Sequence, residues 1–214
     1  MSRIVFIVGS SASGKSTTER NLRLRIAGQF EPGRFQEVDG CDLIFVGKVL
    51  FTDGSHVLRL SGGDAIPFEL LFEVSRKYPR STLVFEKVHI PEYVIHWLNR
   101  EHHAMTFCQL QVRPDVARQR LIRLHHPSAL KDNFHAYRPL RSAYLEKRDA
   151  FLQARGIPVH YIDGTLIERC RALEVILGVE AICDYVLYDF VDSVDVIYQR
   201  FYDGGDAAKP STTG

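Results

Sequence analysis

The sequence predicts an α/β fold built on a parallel central sheet. Three apolar segments, residues 4–8, 81–86 and 105–112, have the length and composition of buried strands. Each is followed by a segment with helical character, and strands that alternate with helices are typical of parallel sheets. We therefore expect the carboxyl ends of these strands to meet at one edge of the sheet, where ligands bind in open α/β folds.

Length and composition predict one domain. With 214 residues, of which 45% are hydrophobic, the chain can bury a core and still carry a lid or an insertion. No segment approaches the ~20 apolar residues of a membrane span, and the first strand begins without signal-peptide features, so we expect no membrane partner. Four cysteines lie in apolar surroundings without C-x-x-C spacing, which predicts buried reduced thiols and a cytoplasmic protein. They are Cys41, Cys108, Cys170 and Cys183.

A glycine-rich loop follows the first strand. It matches the Walker A pattern G-x-x-x-x-G-K-[ST], with a strand before it and a helix after it, a context that disfavours a chance Gly/Ser turn. The pattern predicts a nest of N–H groups directed at phosphate, with Lys15 bridging β- and γ-phosphates and Ser16 offering a hydroxyl to Mg²⁺. The candidate nucleotide-binding residues are Gly9, Ser10, Ser11, Ala12, Ser13, Gly14, Lys15, Ser16 and Thr17.

A helix over residues 16–27 and a β-rich excursion to residue 60 are expected next. Residues 35–38 and 41–46 have strand character and flank Asp39-Gly40, a dipeptide favoured in two-residue hairpin turns. We interpret Asp39 as a turn residue, because turn chemistry accounts for it fully. The excursion is longer than a simple β-α-β crossover requires.

Two carboxylates are candidates for the chemistry. Asp64 follows Gly62-Gly63, which could admit a substrate close to the backbone while Asp64 binds or deprotonates its hydroxyl; an N-cap for the helix at 68–77 is the alternative. Glu86 ends a buried strand, which places it beside the glycine-rich loop. It could hold the Mg²⁺ water shell or orient the attacking hydroxyl, and a loop-capping role is the alternative.

A basic segment follows the strand at 105–112. Residues 113–148 contain nine Lys and Arg against three Asp and Glu, whereas residues 180–206 contain seven acids and one arginine, which predicts a phosphate-facing middle and a solvated end. We interpret Arg120 and Arg123 as arginines that meet transferring phosphoryl oxygens, with a solvated helix face as the alternative. The region of about 113–148 is the predicted lid.

The C-terminal part has a short strand at 157–162, a helix at 166–177, an apolar and acidic segment at 181–202 and a polar tail. We expect the tail, residues 204–214, to be disordered. Three histidines, at 96, 102 and 103, follow no metal-ligand pattern and are expected at the surface.

In this order, the glycine-rich loop, the strand ending in Glu86 and the Arg-x-x-Arg helix resemble the P-loop kinases of the nucleoside and nucleotide kinase type, over residues 1 to about 163. Within that superfamily, Val-Gly-Lys at 46–48, Gly-Gly-Asp-Ala-Ile at 62–66 and Val-Phe-Glu at 84–86 are similar to bacteriophage kinases that phosphorylate 5-hydroxymethyluracil in DNA during thymidine hypermodification. The chain departs from that group at Val49 and Lys87, where an aromatic residue and a glycine are expected.

The resemblance implies a P-loop NTPase three-layer sandwich, with one kinase domain over residues 1–203 and an appended C-terminal segment from about 165. It also implies ATP as donor, Mg²⁺ as cofactor and a hydroxyl acceptor, in the host cytoplasm if a phage encodes the protein. The implied catalytic residues are Lys15, Asp64, Glu86, Arg120 and Arg123, and the implied metal ligands are Ser16 and Glu86.

Three functions stay open at this point. The first is transfer of the γ-phosphate of ATP to the hydroxymethyl group of a base in DNA, and the second is a kinase for a free nucleoside, nucleotide or other small hydroxyl compound. The net charge of +1 counts against the DNA acceptor, while the basic lid counts for it. The third is a nucleotide-binding switch without transfer, which the lid arginines disfavour.

Overall fold

The computed structural model of the chain describes residues 1–10, 12–29, 33–52, 55–60, 68–87, 89–123 and 146–184. Residues 124–145 of the predicted lid, residues 185–203 of the predicted C-terminal segment and the whole tail lie outside the described residues. The elements are β1 (Arg3–Gly9), α1 (Lys15–Ala27), β2 (Gly33–Glu37), β3 (Leu43–Thr52), β4 (Ser55–Leu60), α2 (Phe68–Lys77), β5 (Thr82–Glu86), α3 (Glu92–Arg100), β6 (Ala104–Leu110), α4 (Pro114–Arg123), α5 (146–153), β7 (Val159–Ile162) and α6 (Leu166–Leu177).

The strands form one mostly parallel sheet in the order β2-β3-β5-β1-β6-β7, and β4 pairs with β3 outside this row. Strands β3, β5, β1, β6 and β7 run parallel, whereas β2 and β4 run antiparallel to β3. The predicted α/β class, the parallel sheet and the β-rich excursion after the first helix are confirmed.

Helices cover both faces of this sheet. On one face α2, α3 and α5 bury Leu71, Val94 and Leu152 against it. On the other face α1 and α6 bury Leu22 and Leu173. After β1 the chain therefore crosses to one face of the sheet, and after β5 it crosses to the other face, although β1 and β5 are neighbouring strands. Neighbouring parallel strands whose following segments diverge in this way leave a crevice at their carboxyl ends, where ligands bind in open α/β sheets.

Helix α1 buries several charged side chains, because it packs against both the sheet and its neighbour α6. Arg23 donates to Glu19 one turn earlier, and its guanidinium lies 5.0 Å from the centroid of the Phe45 ring. Arg25 donates to both carboxylate oxygens of Glu174 on α6, at 2.5 and 3.1 Å. An amphipathic helix is expected to expose its polar face to solvent. In the structure, part of the polar face of α1 is buried instead, and its charged side chains form ion pairs with other residues of the protein.

The turn between β2 and β3 differs from the one expected from the sequence. The β2–β3 hairpin has a wider loop than the two-residue turn that Asp39-Gly40 favours, because Glu37 is opposite Ile44 and the Val38 N–H donates to Leu43 O at 3.0 Å. Asp39 is nevertheless an exposed turn residue, as expected.

The cysteines also differ in part from the expectation. All four are free thiols, and Cys108 and Cys170 are buried, but Cys41 is exposed and Cys183 half-buried. Burial raises the pKa of the Cys108 and Cys170 thiols to about 12. These two side chains therefore act as small apolar core residues at neutral pH. Within the described ranges, no helix has the length and apolar character that crossing a membrane requires.

We predict that Glu174→Ala lowers the free energy of unfolding by about 3 kcal/mol or more, because it leaves the buried guanidinium of Arg25 without its hydrogen-bonded carboxylate. Asp184 lies 3.9 Å from that guanidinium but is too exposed to replace the lost bonds. Urea denaturation measures the change. As a control, Glu73→Ala removes only the exposed ion pair with Arg34 and should cost less than about 1 kcal/mol. Equal losses in the two variants would contradict the prediction.

Candidate functional site

The site is built on the register of β1 and β5. Ile7 is opposite Glu86 in this parallel pair, so β5 ends beside Ile7, two residues before β1 ends at Gly9 and leads into the glycine-rich loop. Side chains alternate between the faces of a strand, and Val84, two residues before Glu86, belongs to the core beneath α1. Glu86 therefore faces α1, whose first turn begins directly after the glycine-rich loop.

Three predicted site residues meet there. The Lys15 ammonium lies 3.9 Å from Glu86 Oε1, and the Ser16 hydroxyl donates to Glu86 Oε2 at 3.3 Å. Lys15 also donates to Ser10 O at 2.9 Å, so the ammonium spans the loop from its end to its beginning. Lys15 is buried, and Glu86 is half-buried. A carboxylate, an ammonium and a hydroxyl are thus assembled at the carboxyl end of two central strands.

Positive charge around Glu86 extends along α1. Arg20 lies one turn beyond Ser16, and burial lowers the pKa of its guanidinium, while the carboxylates of Glu19 and Glu86 oppose that shift. Two cations of the same helix, Lys15 and Arg20, therefore interact electrostatically with the Glu86 carboxylate.

The backbone of the loop has a shape that few residue types allow. A Cβ atom on Gly9 would lie 2.8 Å from both Leu110 O and Ser13 Oγ, closer than such atoms approach in proteins. Gly14 has φ 89° and Ala12 has φ 59°, both left-handed, and the Ser13 N–H donates to Ser10 O at 3.1 Å. Left-handed residues at short spacing are typical of nests, in which successive N–H groups converge on an anion.

The amino end of α1 keeps its positive character. Its N-cap residue, Gly14, has no capping side chain, and no acidic residue lies in the first turn. Helix α6 differs, because Thr165 and Glu168 form a complete capping box there. The first-turn N–H groups and the helix dipole of α1 are therefore directed toward the loop, which suits an anionic ligand.

Two arginines hold the loop from outside. Arg120 on α4 donates to Ala12 O at 3.2 Å. Arg169 on α6 donates to Ser13 O at 2.6 Å and to Gln111 O, just beyond β6, at 2.7 Å. The Arg169 side chain is buried, so these two bonds fasten the loop to the end of the neighbouring strand.

The two guanidinium groups approach the same glycine. A Cβ on Gly14 would lie 3.3 Å from Arg169 Nη1 and 3.7 Å from Arg120 Nη1. Burial lowers the pKa of Arg169, the positive charge of Arg120 lowers it further, and Asp163, 3.7 Å away, opposes both effects. A ligand with negative charge at the loop would relieve the repulsion between these cations.

Arg169 is a residue that the sequence analysis missed. No motif includes it, and it lies in a helix with no predicted link to the glycine-rich loop. A signal was present: Arg169 lies beside Cys170 and four residues before Leu173, within the buried stripe of α6. A charged residue among the apolar residues of a buried helix face indicates a buried partner.

The remaining predicted site residues are described only in part. Asp64 and Ser11 lie outside the described residues, as do the glycines at 62 and 63. Arg123 is the last residue of α4, but its side chain is outside the described part. Thr17 belongs to the first turn of α1 and is half-buried.

Ser16 and Glu86 fit a magnesium ion. Mg²⁺ takes oxygen ligands and is usually held by one or two carboxylates, with waters and substrate phosphates completing the shell. Ser16 Oγ and Glu86 Oε2 are 3.3 Å apart beside the loop, which gives one hydroxyl and one carboxylate oxygen. In the described ranges, no group of three or more His, Cys, Asp and Glu side chains could hold a metal by itself. This donor set therefore suits a metal that a bound phosphate also ligates.

A comparison with models of known protein families finds no match, and a comparison with curated protein sequences finds no similar protein. The function is therefore inferred from the residues of this chain and their geometry.

We predict that Arg169→Gln weakens the binding of a nucleoside triphosphate about tenfold, because the loop loses two charge-assisted hydrogen bonds that fix its backbone. Calorimetric titration with ATP measures the affinity. The matched control is Arg171→Gln on the exposed side of the same helix, which should leave affinity unchanged. An Arg169→Gln variant that loses stability but binds ATP as tightly as the wild type would contradict a positioning role.

Proposed function

We propose that this protein is an ATP-dependent kinase with a P-loop NTPase fold. The observation that carries the proposal is the meeting of Lys15, Ser16 and Glu86 beside an uncapped helix terminus, at the carboxyl ends of adjacent parallel strands. Phosphoryl transfer requires little covalent chemistry from the protein, and consists mainly of positioning and charge stabilisation. These residue types supply both.

Each part of the site has a role in this reaction. The loop N–H groups and the α1 terminus bind the phosphates, and the Lys15 ammonium neutralises charge on the transferring group. Ser16 and Glu86 would hold Mg²⁺, which supplies electrophilic stabilisation of the phosphate oxygens when bound. Arg120, on the loop side of α4, and Arg123 are proposed to spread developing charge in the transition state.

For the acceptor, we propose the hydroxymethyl group of 5-hydroxymethyluracil in DNA, on the strength of the sequence resemblance. In this reaction the acceptor oxygen forms a bond to the γ-phosphorus, the bond from that phosphorus to the β,γ-bridging oxygen breaks, and ADP leaves. The acceptor proton passes to a carboxylate, for which Asp64 is the proposed base. A free nucleoside, nucleotide or other small hydroxyl compound is the alternative acceptor.

The decisive experiment uses ATP labelled at the γ-phosphate. The protein is incubated with 5-hydroxymethyluracil DNA, unmodified DNA and a panel of nucleosides and nucleotides, and transfer of label to each is measured. Label in hydroxymethyluracil DNA alone supports the proposed acceptor. Label in a small compound alone supports the alternative, and ATP binding without labelling of any acceptor supports a non-catalytic switch.

Lys15→Ala should reduce transfer at least about a hundredfold with little change in the unfolding midpoint, because it removes a phosphate contact and no apolar core contact. Initial rates with labelled ATP measure the effect. Lys77→Ala, at an exposed lysine at the end of α2, is the control and should transfer at the wild-type rate. Near-wild-type turnover in Lys15→Ala would refute the kinase proposal.

We expect Glu86→Gln and Asp64→Asn to impair different parts of the reaction. The first should affect ATP and Mg²⁺ use, and the second should affect acceptor use. Glu86→Gln removes the carboxylate beside Ser16, so we expect a lower kcat and a higher Mg²⁺ requirement. Asp64→Asn should raise the acceptor KM or slow proton removal while leaving ATP affinity unchanged. Titrations of ATP, acceptor and Mg²⁺ on both variants test this division. Unchanged acceptor kinetics in Asp64→Asn would leave that residue as a helix cap.

A further inference from the structure

A glutamine lies near the carboxyl end of β6, the strand that pairs with β1 on the side away from β5. Gln109 is opposite Val8, one residue beyond the level at which Ile7 is opposite Glu86. Its side chain faces α5, because Phe107, two residues earlier, belongs to the core beneath α2, α3 and α5. Neighbouring strands are about 4.8 Å apart, so the backbones of Glu86 and Gln109 are about 10 Å apart across β1, a distance that a nucleoside can span.

A network of three side chains fixes the orientation of the Gln109 amide. Arg148 on α5 donates to Gln109 Oε1 at 3.0 Å and to Asp149 Oδ1 at 2.6 and 2.9 Å. Tyr161 on β7 donates to the other carboxylate oxygen of Asp149. A guanidinium has donors only, so the amide group that faces Arg148 must be the oxygen. The amide nitrogen of Gln109, Nε2, therefore points away from Arg148.

This nitrogen is a donor whose partner is not in the described part of the chain. Gln109 is 5% exposed, so nearly all of the side chain is enclosed. Gln109 Nε2 is nevertheless not one of the fully buried polar atoms that lack a hydrogen-bond partner among the described residues, so it keeps contact with solvent. An amide nitrogen carries N–H groups and no free lone pair, so a molecule that binds here must offer it an acceptor.

The position of Gln109 in the sheet is one where ligands bind. It is the last residue but one of β6, next to β1, whose end leads into the glycine-rich loop. Ligands of open α/β sheets bind at the carboxyl ends of such strands. On the proposed function, an acceptor whose hydroxyl reaches the γ-phosphate at the loop extends over this edge toward Gln109.

We propose that Gln109 selects the acceptor base by donating to the 4-oxo group of a 5-hydroxymethylated pyrimidine, so that the enzyme takes hydroxymethyluracil and rejects hydroxymethylcytosine. The two bases differ at position 4, where uracil has a carbonyl and cytosine an amino group. This position is next to the carbon that carries the reacting hydroxymethyl group. Two donors that face each other are both left without an acceptor, and a site built to hydrogen-bond its substrate rejects an analogue in this way. The inference rests on the proposed kinase function and extends it to base selection.

The test compares the wild type with Gln109→Glu on two single-stranded oligonucleotides, one containing 5-hydroxymethyluracil and the other 5-hydroxymethylcytosine at the same position. In the variant, one carboxylate oxygen still accepts from Arg148, and the other replaces the amide donor with an acceptor. We expect the wild type to have at least about a tenfold higher kcat/KM for the uracil base, the effect of one unpaired buried group. Gln109→Glu should lose or reverse this preference with the ATP KM unchanged. The two free deoxynucleosides provide the same comparison for the alternative acceptor.

Two more variants complete the test. Gln109→Met keeps the length of the side chain and removes both polar groups, so the ratio of kcat/KM for the two bases should approach one. Gln153→Glu makes the same substitution at an exposed glutamine of α5, one turn beyond Asp149, and should keep the wild-type ratio. Equal use of the two bases by the wild type would overturn the proposal, and so would a wild-type ratio in both Gln109 variants.

A binding measurement separates this inference from the proposed function. With ADP and Mg²⁺ present to occupy the loop, calorimetry measures the affinity of the two oligonucleotides and the two deoxynucleosides for the wild type and for Gln109→Glu. Tighter binding of the uracil compounds to the wild type, lost or reversed in the variant, supports the role of Gln109 even if no acceptor is labelled, in which case only the kinase proposal fails. Equal binding of the two bases to the wild type, or binding of neither, overturns the assignment to Gln109.

Discussion

The candidate site depends on one strand register, the pairing of β1 and β5 that sets Ile7 opposite Glu86. A slip of one residue would turn Glu86 toward α2 and bring the ammonium of Lys87 to the face of Lys15, so that two like charges would replace an ion pair. The apolar residues of the two strands prevent that slip. Val5 and Ile7 fill the core beneath α1, and Phe6 fills the core beneath α2, so an exchange of faces would disrupt both.

The backbone conformation of the glycine-rich loop is unfavourable in isolation. Contacts from α6 supply part of the free energy that stabilises it. A left-handed φ at Ala12 costs of order 1 kcal/mol, and such conformations persist where surrounding contacts fix them. Two of these contacts are the Arg169 bonds to Ser13 O and Gln111 O. The same helix bonds Arg25 of α1 through Glu174. We infer that these directional bonds fix the rotation of α6 against α1, which apolar packing alone would define less sharply.

The fold was largely predictable from sequence, and the site only in part. Apolar runs identify buried strands directly, and the glycine-rich loop carries its own context, so the sheet, Lys15, Ser16 and Glu86 followed from local pattern. Periodicity cannot report whether a helix is covered on a second side, and the burial of Arg25 beneath α6 was therefore missed. Arg169 was missed for a related reason, since its partners are 58 and 156 residues away and no spacing rule connects them.

The alternation of side chains along β5 has a consequence for how the crevice could distinguish two ligands. Glu86 and Lys87 are adjacent in sequence but point to opposite faces, so they cannot contact the same small group. Lys15, Arg120 and Arg169 concentrate positive charge at the loop on the α1 side, where a polyphosphate is favoured by the full set of cations and by the helix terminus. On the opposite face, the Lys87 ammonium lies 5.3 Å from the centroid of the Phe68 ring, at the start of α2. On the proposed function, the donor triphosphate would therefore be held on the α1 side of this edge, because the loop cations and the helix terminus lie there.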